Sequence, residues 1–188
     1  MSSIRVLGMD PSLRNWGLAV AYLDLDTGVL TTPEISVVQP SDLVGKQVRN
    51  NSNDLHLAMQ LADGIWSEAT RAQVIFVEVP HGSQSARAMA SYGIVIGILG
   101  SLRSTGTPFI EVTAGDNKLI FTSKKNAPKE LMISTARELY PDSNWPVHKN
   151  GSPLAKCEHM ADAIAAIHAG VRTPAFQNLL QLFSGVKQ

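Results

Sequence analysis

The chain has 188 residues, 44% of them hydrophobic, which suffices for one sizeable core and asks for no second domain. Sixteen basic and 16 acidic residues cancel to a formal charge of zero, which excludes a surface coated in one sign and shifts attention to local patches. One cysteine, Cys157, excludes an internal disulfide framework and a thiolate zinc cluster. No stretch reaches the roughly 18 apolar residues of a membrane span, and MSSIRVLGMD lacks the apolar core and cleavage site of an export signal, so a soluble, cytoplasmic protein is expected.

Residues 4–9 form an apolar run of strand length, 16–25 a second strand and 29–38 a third, with the polar turn 24–28 closing a hairpin between the last two. The chain thus opens as an antiparallel meander. Residues 41–54, polar and carrying Gly45, Lys46 and Arg49, predict a mobile surface loop. Leu55, Met59, Ala62, Ile65, Trp66 and Ala69 then recur at helical spacing behind Asn53 or Asp54 as cap, with Trp66 expected in the core. Residues 74–79 predict a strand, 85–105 a long helix and 108–112 a further strand, which together make a right-handed crossover. Gly93, Gly97 and Gly100 weaken an isolated helix by up to about 1 kcal/mol each, so this helix is expected to pack closely against a neighbour. Pro128 starts a helix to about Tyr140, 141–153 form a loop, 155–172 a core helix and 175–183 a short final one.

Three acidic residues fall at junctions of this pattern: Asp10 after the first strand, Glu78 at the end of the run from Val74 to Val77, and Asp162 in the core helix. A carboxylate there costs free energy unless something positive satisfies it, because desolvation and like-charge repulsion both oppose ionisation. A divalent cation supplies that charge, and the three look like one metal site. His159, three residues before Asp162, projects from nearly the same helix face and can enter the same shell. Each has a plainer reading when taken singly: Asp10 with Pro11 as a turn, Glu78 as an edge residue, His159 and Asp162 as a solvated face. The apolar neighbours Met160, Ala161, Ala163, Ile164 and Ala165 argue for burial of Asp162.

Lys118, Lys124, Lys125 and Lys129 make a local basic patch that suits either phosphate or a solvated helix approach. Glu158 suits support of the acidic set or simple solvation, His168 a cation at a helix end, and Cys157 small packing. Trp145 suits local packing or stacking on a base.

The stretches GMDPSLRNWGLAV, IFVEVPHGSQSARAMASYG, EVTAGDNKLIFTSKKNAPKELM and EHMADAIAAIHAG, in that order, resemble the RuvC family of Holliday junction resolvases. The resemblance implies an α/β, RNase H-like fold in a single domain over residues 1–188: a five-stranded mixed sheet, three antiparallel strands then two parallel, flanked by helices. It implies Asp10, Glu78 and Asp162 as catalytic, metal-binding carboxylates, with His159 at a fourth position where members carry aspartate or histidine. Lys118 and Lys129 match basic residues near the junction backbone. His81 falls where an aromatic side chain often contacts DNA, and Arg14, Lys124 and Lys125 complete the nucleic-acid-binding candidates. The resemblance also implies a homodimer on branched DNA, the four-way junction, making paired nicks. Its expected face is the 85–105 helix through Ala86, Ala88, Ala90, Gly93 and Gly97, although packing within the chain would explain the same residues. Ser12 stands where a glycine is usual, Trp16 replaces a small or hydroxylated residue, and the 41–54 loop is longer and more polar than its counterpart.

Phosphodiester hydrolysis needs an activated water, shielding of the non-bridging oxygens and stabilisation of the leaving 3′ oxygen, all of which two divalent ions about 4 Å apart supply. Oxygen ligands select Mg2+ or Mn2+, two ions per site. Asp10 is the candidate to bridge both, Glu78 and Asp162 each favour one, and His159 either completes a shell or acts as general base. The expected function is a divalent-metal-dependent, structure-selective DNA endonuclease. The alternatives are a nuclease of this fold acting on flaps, RNA–DNA hybrids or other branched DNA, a non-catalytic junction-binding protein, and a sugar-kinase or actin-like ATPase. The ATPase lacks its second phosphate loop here, and a binding module gains nothing from negative charge where phosphates must sit.

Overall fold

The structure, a computed structural model, describes residues 3–185. Its centre is a five-stranded sheet in the order β3-β2-β1-β4-β5. The strands β1 (Ser3–Asp10), β2 (Trp16–Asp24) and β3 (Glu34–Val38) form the antiparallel meander. Helix α1 (Asn50–Arg71) leads to β4 (Val74–Glu78), parallel to β1, and α2 (Ala86–Arg103) leads to β5 (Phe109–Val112), parallel to β4. After these come α3 (Ala114–Thr122), α4 (Lys129–Leu139), α5 (Cys157–Gly170) and α6 (Pro174–Gly185). This is the expected sheet. No helix among the described residues is long and apolar enough to cross a membrane.

Alternation along the strands sorts their side chains onto two faces. Val6, Ala19, Ile35, Val74 and Phe76 join the core under α3, α4 and α5, while Leu7, Met9, Leu18, Ile75 and Val77 join the one under α1 and α2. Full burial of a side chain such as Leu7 contributes about 1.5–3 kcal/mol, so both faces are needed to hold the layers. On the first face α5 lies unusually close. A Cβ added at Gly8 would overlap the Ala163 carbonyl, one at Gly17 the His159 carbonyl, and one at Gly170 the Phe76 ring. The helix backbone therefore rests on the strand backbone at Gly8 and Gly17, and at Gly170 the helix makes room for a strand side chain.

Several expectations need correction. The helix expected behind Asn53 or Asp54 begins earlier, at Asn50, with Arg49 as its cap and no side-chain cap bond. Asp54 is instead buried against Arg87, which donates two hydrogen bonds of 2.5 and 2.6 Å to its carboxylate. The buried stripe of α1 is Asp54, Leu57, Leu61, Ile65 and Ala69, which leaves Trp66 exposed rather than in the core. The third strand starts at Glu34, not Val29; Leu30 keeps one bridge to Leu23, and the missing N–H of Pro33 interrupts the ladder. Helix α3 was not anticipated: Thr113 caps it by accepting from Asp116 N at 3.1 Å, and Ser123, at φ 61°, ends it. Cys157 is buried, and Trp145 packs locally, its indole N–H donating to Tyr140 O at 2.8 Å.

Candidate active site

Asp10 is the last residue of β1 and Glu78 the last of β4. The parallel register pairs Met9 with Val77, so the next rung brings both carboxylates together at the carboxyl ends of adjacent strands. Open α/β sheets place ligands at such ends. Gly17, which lies opposite Asp10 across β1 and β2, admits the His159 backbone, so α5 closes the third side with His159 and Asp162. Strand alternation, parallel register and two strand glycines thus converge the four sequence candidates.

His159 Nδ1 donates to Asp10 Oδ2 at 2.7 Å, with only 23% and 18% of the two side chains exposed. The Asp10 bond raises the imidazole pKa above its ordinary value, against the opposing effect of burial. Glu78 is raised by burial and then by the Asp10 charge. Asp162, packed between apolar neighbours, is pushed up to about 8 by burial, with the charges of Asp10, Glu78 and Glu158 adding to it and His159 opposing. Each carboxylate thus feels another, and their summed negative potential is what a cation would relieve. The donor set fits a hard divalent ion in charge and chemistry. It is not drawn tight: among the described residues, no group of three His, Cys, Asp or Glu side chains lies close enough to hold a metal ion as it stands.

A fifth residue was missed in the sequence. Asn117, in the first turns of α3, is 1% exposed, and its Nδ2 donates to Glu78 Oε2 at 2.6 Å. Its Oδ1 is buried without a partner, an arrangement that costs about 1–3 kcal/mol. The available signal was the capping pattern Thr113-x-x-Asp116, which marks the start of a helix directly after β5 and so places Asn117 in its first turns.

The basic candidates spread around this centre. Lys118 is half-buried on α3, and its charge draws Glu78 back toward ionisation. Lys124 and Lys125 are exposed beyond α3, and His81 is exposed in the loop after β4. Lys129, at the start of α4, donates to Glu158 Oε2 at 2.8 Å, so Glu158 is neither merely solvated nor bonded to the acidic set. Arg14, in the loop after β1, pairs with Asp42 at 2.7 Å. His168 is not the charged helix-end residue expected: burial lowers it to about 4, and its Nε2 is hydrogen-bonded to Tyr140 Oη at 2.8 Å.

No family model and no curated protein matches the chain. Among solved structures it is similar to Thermus thermophilus RuvC in complex with a Holliday junction substrate, at 18% identity and a TM-score of 0.59, covering 93% of this chain and 96% of that one. A second Thermus thermophilus RuvC structure matches at 18% identity and a TM-score of 0.58, covering 95% and 97%. Near-complete coverage of both chains at these TM-scores, together with the five-stranded mixed sheet flanked by helices, shows that this protein has the RuvC-like, RNase H-like α/β fold.

Proposed function

We propose that the protein is a divalent-metal-dependent, structure-selective DNA endonuclease that resolves four-way junctions by paired nicks. The observation that carries this reading is the convergence of Asp10, Glu78, Asp162 and His159 at the carboxyl edge of β1 and β4, on a fold shared with a RuvC solved on a Holliday junction substrate. Asp10, Glu78 and Asp162 are the residues to hold Mg2+ or Mn2+. Bound there, two such ions supply an activated water and shield the phosphate charge. His159 spends Nδ1 on Asp10, which leaves Nε2 to take a proton from water or to complete a shell. Lys118, Lys124, Lys125, Lys129, Arg14 and His81 are assigned to the DNA backbone, where each cation adds salt-dependent affinity without sequence reading.

A homodimer suits this task because two opposed strands must be cut. In support, a Cβ added at Gly93, Gly97 or Gly100 meets nothing within 4 Å, so packing within the chain does not account for these glycines. Met89 and Ile96 of the same helix are exposed. The loosely drawn acidic set favours a second reading, a junction-binding protein without catalysis.

Labelled four-way, three-way, flap, RNA–DNA hybrid and linear duplex substrates, incubated with Mg2+ or Mn2+, separate these readings. Symmetric nicks confined to the four-way junction, lost in Glu78→Gln, are expected. Cutting of flaps or hybrids at the same rate moves the substrate class, and tight junction binding without any cutting leaves the non-catalytic reading standing.

A further inference from the structure

The amide of Asn117 has no role among the metal ligands and DNA contacts proposed for the protein, yet it is among its most completely enclosed polar groups. The helix that bears it does not need the side chain. Thr113 and Asp116 already cap α3, and Phe121 anchors it in the core. A packing amide would find partners for both of its ends, whereas this one spends Nδ2 on Glu78 at 2.6 Å and leaves Oδ1 with none. The asymmetry identifies which bond is being kept. It joins the end of β4 to the first turns of α3, next to the rung that pairs Glu78 with Val112 of β5 just before the Thr113 cap.

We infer that Asn117 is a positioning residue for Glu78: by holding Oε2, it fixes the carboxylate so that Oε1 is the oxygen left to take a divalent cation. The inference rests on the nuclease reading and adds to it the means by which one ligand is oriented. A neutral donor suits the task better than a cation would. Lysine or arginine at this place would orient the carboxylate but cancel the charge that a metal needs, while an amide orients it and leaves the charge in full. Glu78 ends a strand with its side chain only partly buried, and a bond from a buried donor restricts the carboxylate before the metal arrives.

The test compares the full-length parent with Asn117→Leu, Asn117→Ala and Asn117→Gln. Thermal melts without DNA, titrated with MnCl2 or MgCl2 alone, give the metal concentration at half-maximal stabilisation. Loss of an outer-shell partner is expected to raise that concentration about 10- to 100-fold in Asn117→Leu and Asn117→Ala. Asn117→Gln, which keeps the donor on a longer arm, should recover part of the loss. The kcat for cutting should fall in the same order, while junction affinity measured in chelator stays within about twofold of the parent, since backbone contacts set it. In chelator Asn117→Leu should melt no lower than the parent, because it removes an unpaired buried carbonyl. If it does melt lower, Asn117→Ala and Asn117→Gln carry the comparison. A parent that responds to metal while all three variants respond at the parent's concentration overturns the inference alone. A parent that neither responds to metal nor cuts overturns the nuclease reading, and this inference with it.

Discussion

Two histidines at opposite ends of α5 are driven apart by their surroundings. His159 is raised because Asp10 accepts its Nδ1–H, although burial opposes the charge. His168 is lowered to about 4 because it is buried among Tyr140, Phe121 and core aliphatics with no anion against it, and Arg172 adds to the effect. The two ends of one helix therefore shift their histidines in opposite directions. Burial alone discharges a group, and the partner at the end of β1 decides the outcome. The same contrast separates site from scaffold: carboxylates and their few polar partners gather at one end, and aromatic packing fills the other.

Removing the anion should turn the first end into a copy of the second. In Asp10→Asn, cutting is expected to fall by two to three orders of magnitude or more, as when a preorganised charge is lost from an active site. The His159 pKa should fall from its raised value, since burial is then opposed only by the lesser charges of Glu158 and Asp162. Histidine-resolved NMR titration measures the second effect without any substrate. A His159 that still titrates high in this variant would break the comparison at its first step.

The next largest effects are in stability against pH, and the two ends contribute with opposite sign. His168 has a folded pKa of about 4 against an ordinary 6.5, so below about pH 6.5 the unfolded chain binds a proton that the native state refuses. Stability is lost as pH falls through that window, by about 3 kcal/mol once the group is fully charged. Asp162 is raised to about 8, so between the ordinary carboxylate range and pH 8 the native state holds a proton that the unfolded chain has released. Stability from this end falls as pH rises through that window, until a cation takes the proton's place. In chelator the two slopes oppose and largely offset one another between about pH 4 and 6.5, and the Asp162 slope stands alone from there to about pH 8. Melts should therefore show His168→Phe falling in stability across the whole range, and Asp162→Asn, or the parent with added Mg2+, rising from about pH 4 to 6.5 and level above it. A variant that leaves the other group's slope altered as well would mean that the ends are not independent.

A glycine at each end sharpens the comparison by geometry instead of charge. Gly17→Ala and Gly170→Ala both force α5 off its support and are each expected to cost about 1–3 kcal/mol. Their effects on catalysis should differ. Gly17 supports His159 opposite Asp10, so its variant should lose cutting well below its melting temperature, whereas Gly170→Ala should keep the parent rate there. Equal activity losses would show that α5 moves as one rigid body.

Much of this was legible in the sequence, for reasons that the structure makes plain. Strands β1, β4 and β5 are short apolar runs between turn residues, and Asp10, Glu78 and Asp162 stand out because carboxylates rarely end or interrupt such runs. What was hidden depends on tertiary contact. Asp54 has the composition of a helix cap, but it is claimed by Arg87, 33 positions away. His168 looks like a helix-end cation until Tyr140 and Phe121 enclose it. Nothing in the sequence around Gly8 and Gly17 marks them as the places where α5 comes down. Trp66 has helical spacing on its side, but it falls just outside the buried stripe.

The smallest effect concerns the ion pair between Lys129 and Glu158, which borders the charged end of α5. Lys129 is 70% exposed at the side chain, so solvent screens the pair, and Lys129→Gln should leave stability almost unchanged. Its effect on DNA should be visible all the same. If Lys129 leaves Glu158 for a phosphate, the variant's junction affinity should depend less steeply on salt, by about one unit of slope. Glu158→Gln makes the opposite change: it frees Lys129 and removes one of the charges that raise Asp162, so junction binding should tighten with the slope kept. The measurement is junction affinity across a salt series for parent and both variants. A slope unchanged in Lys129→Gln would confine this lysine to its pair with Glu158, and the charged end of α5 would then stop short of α4.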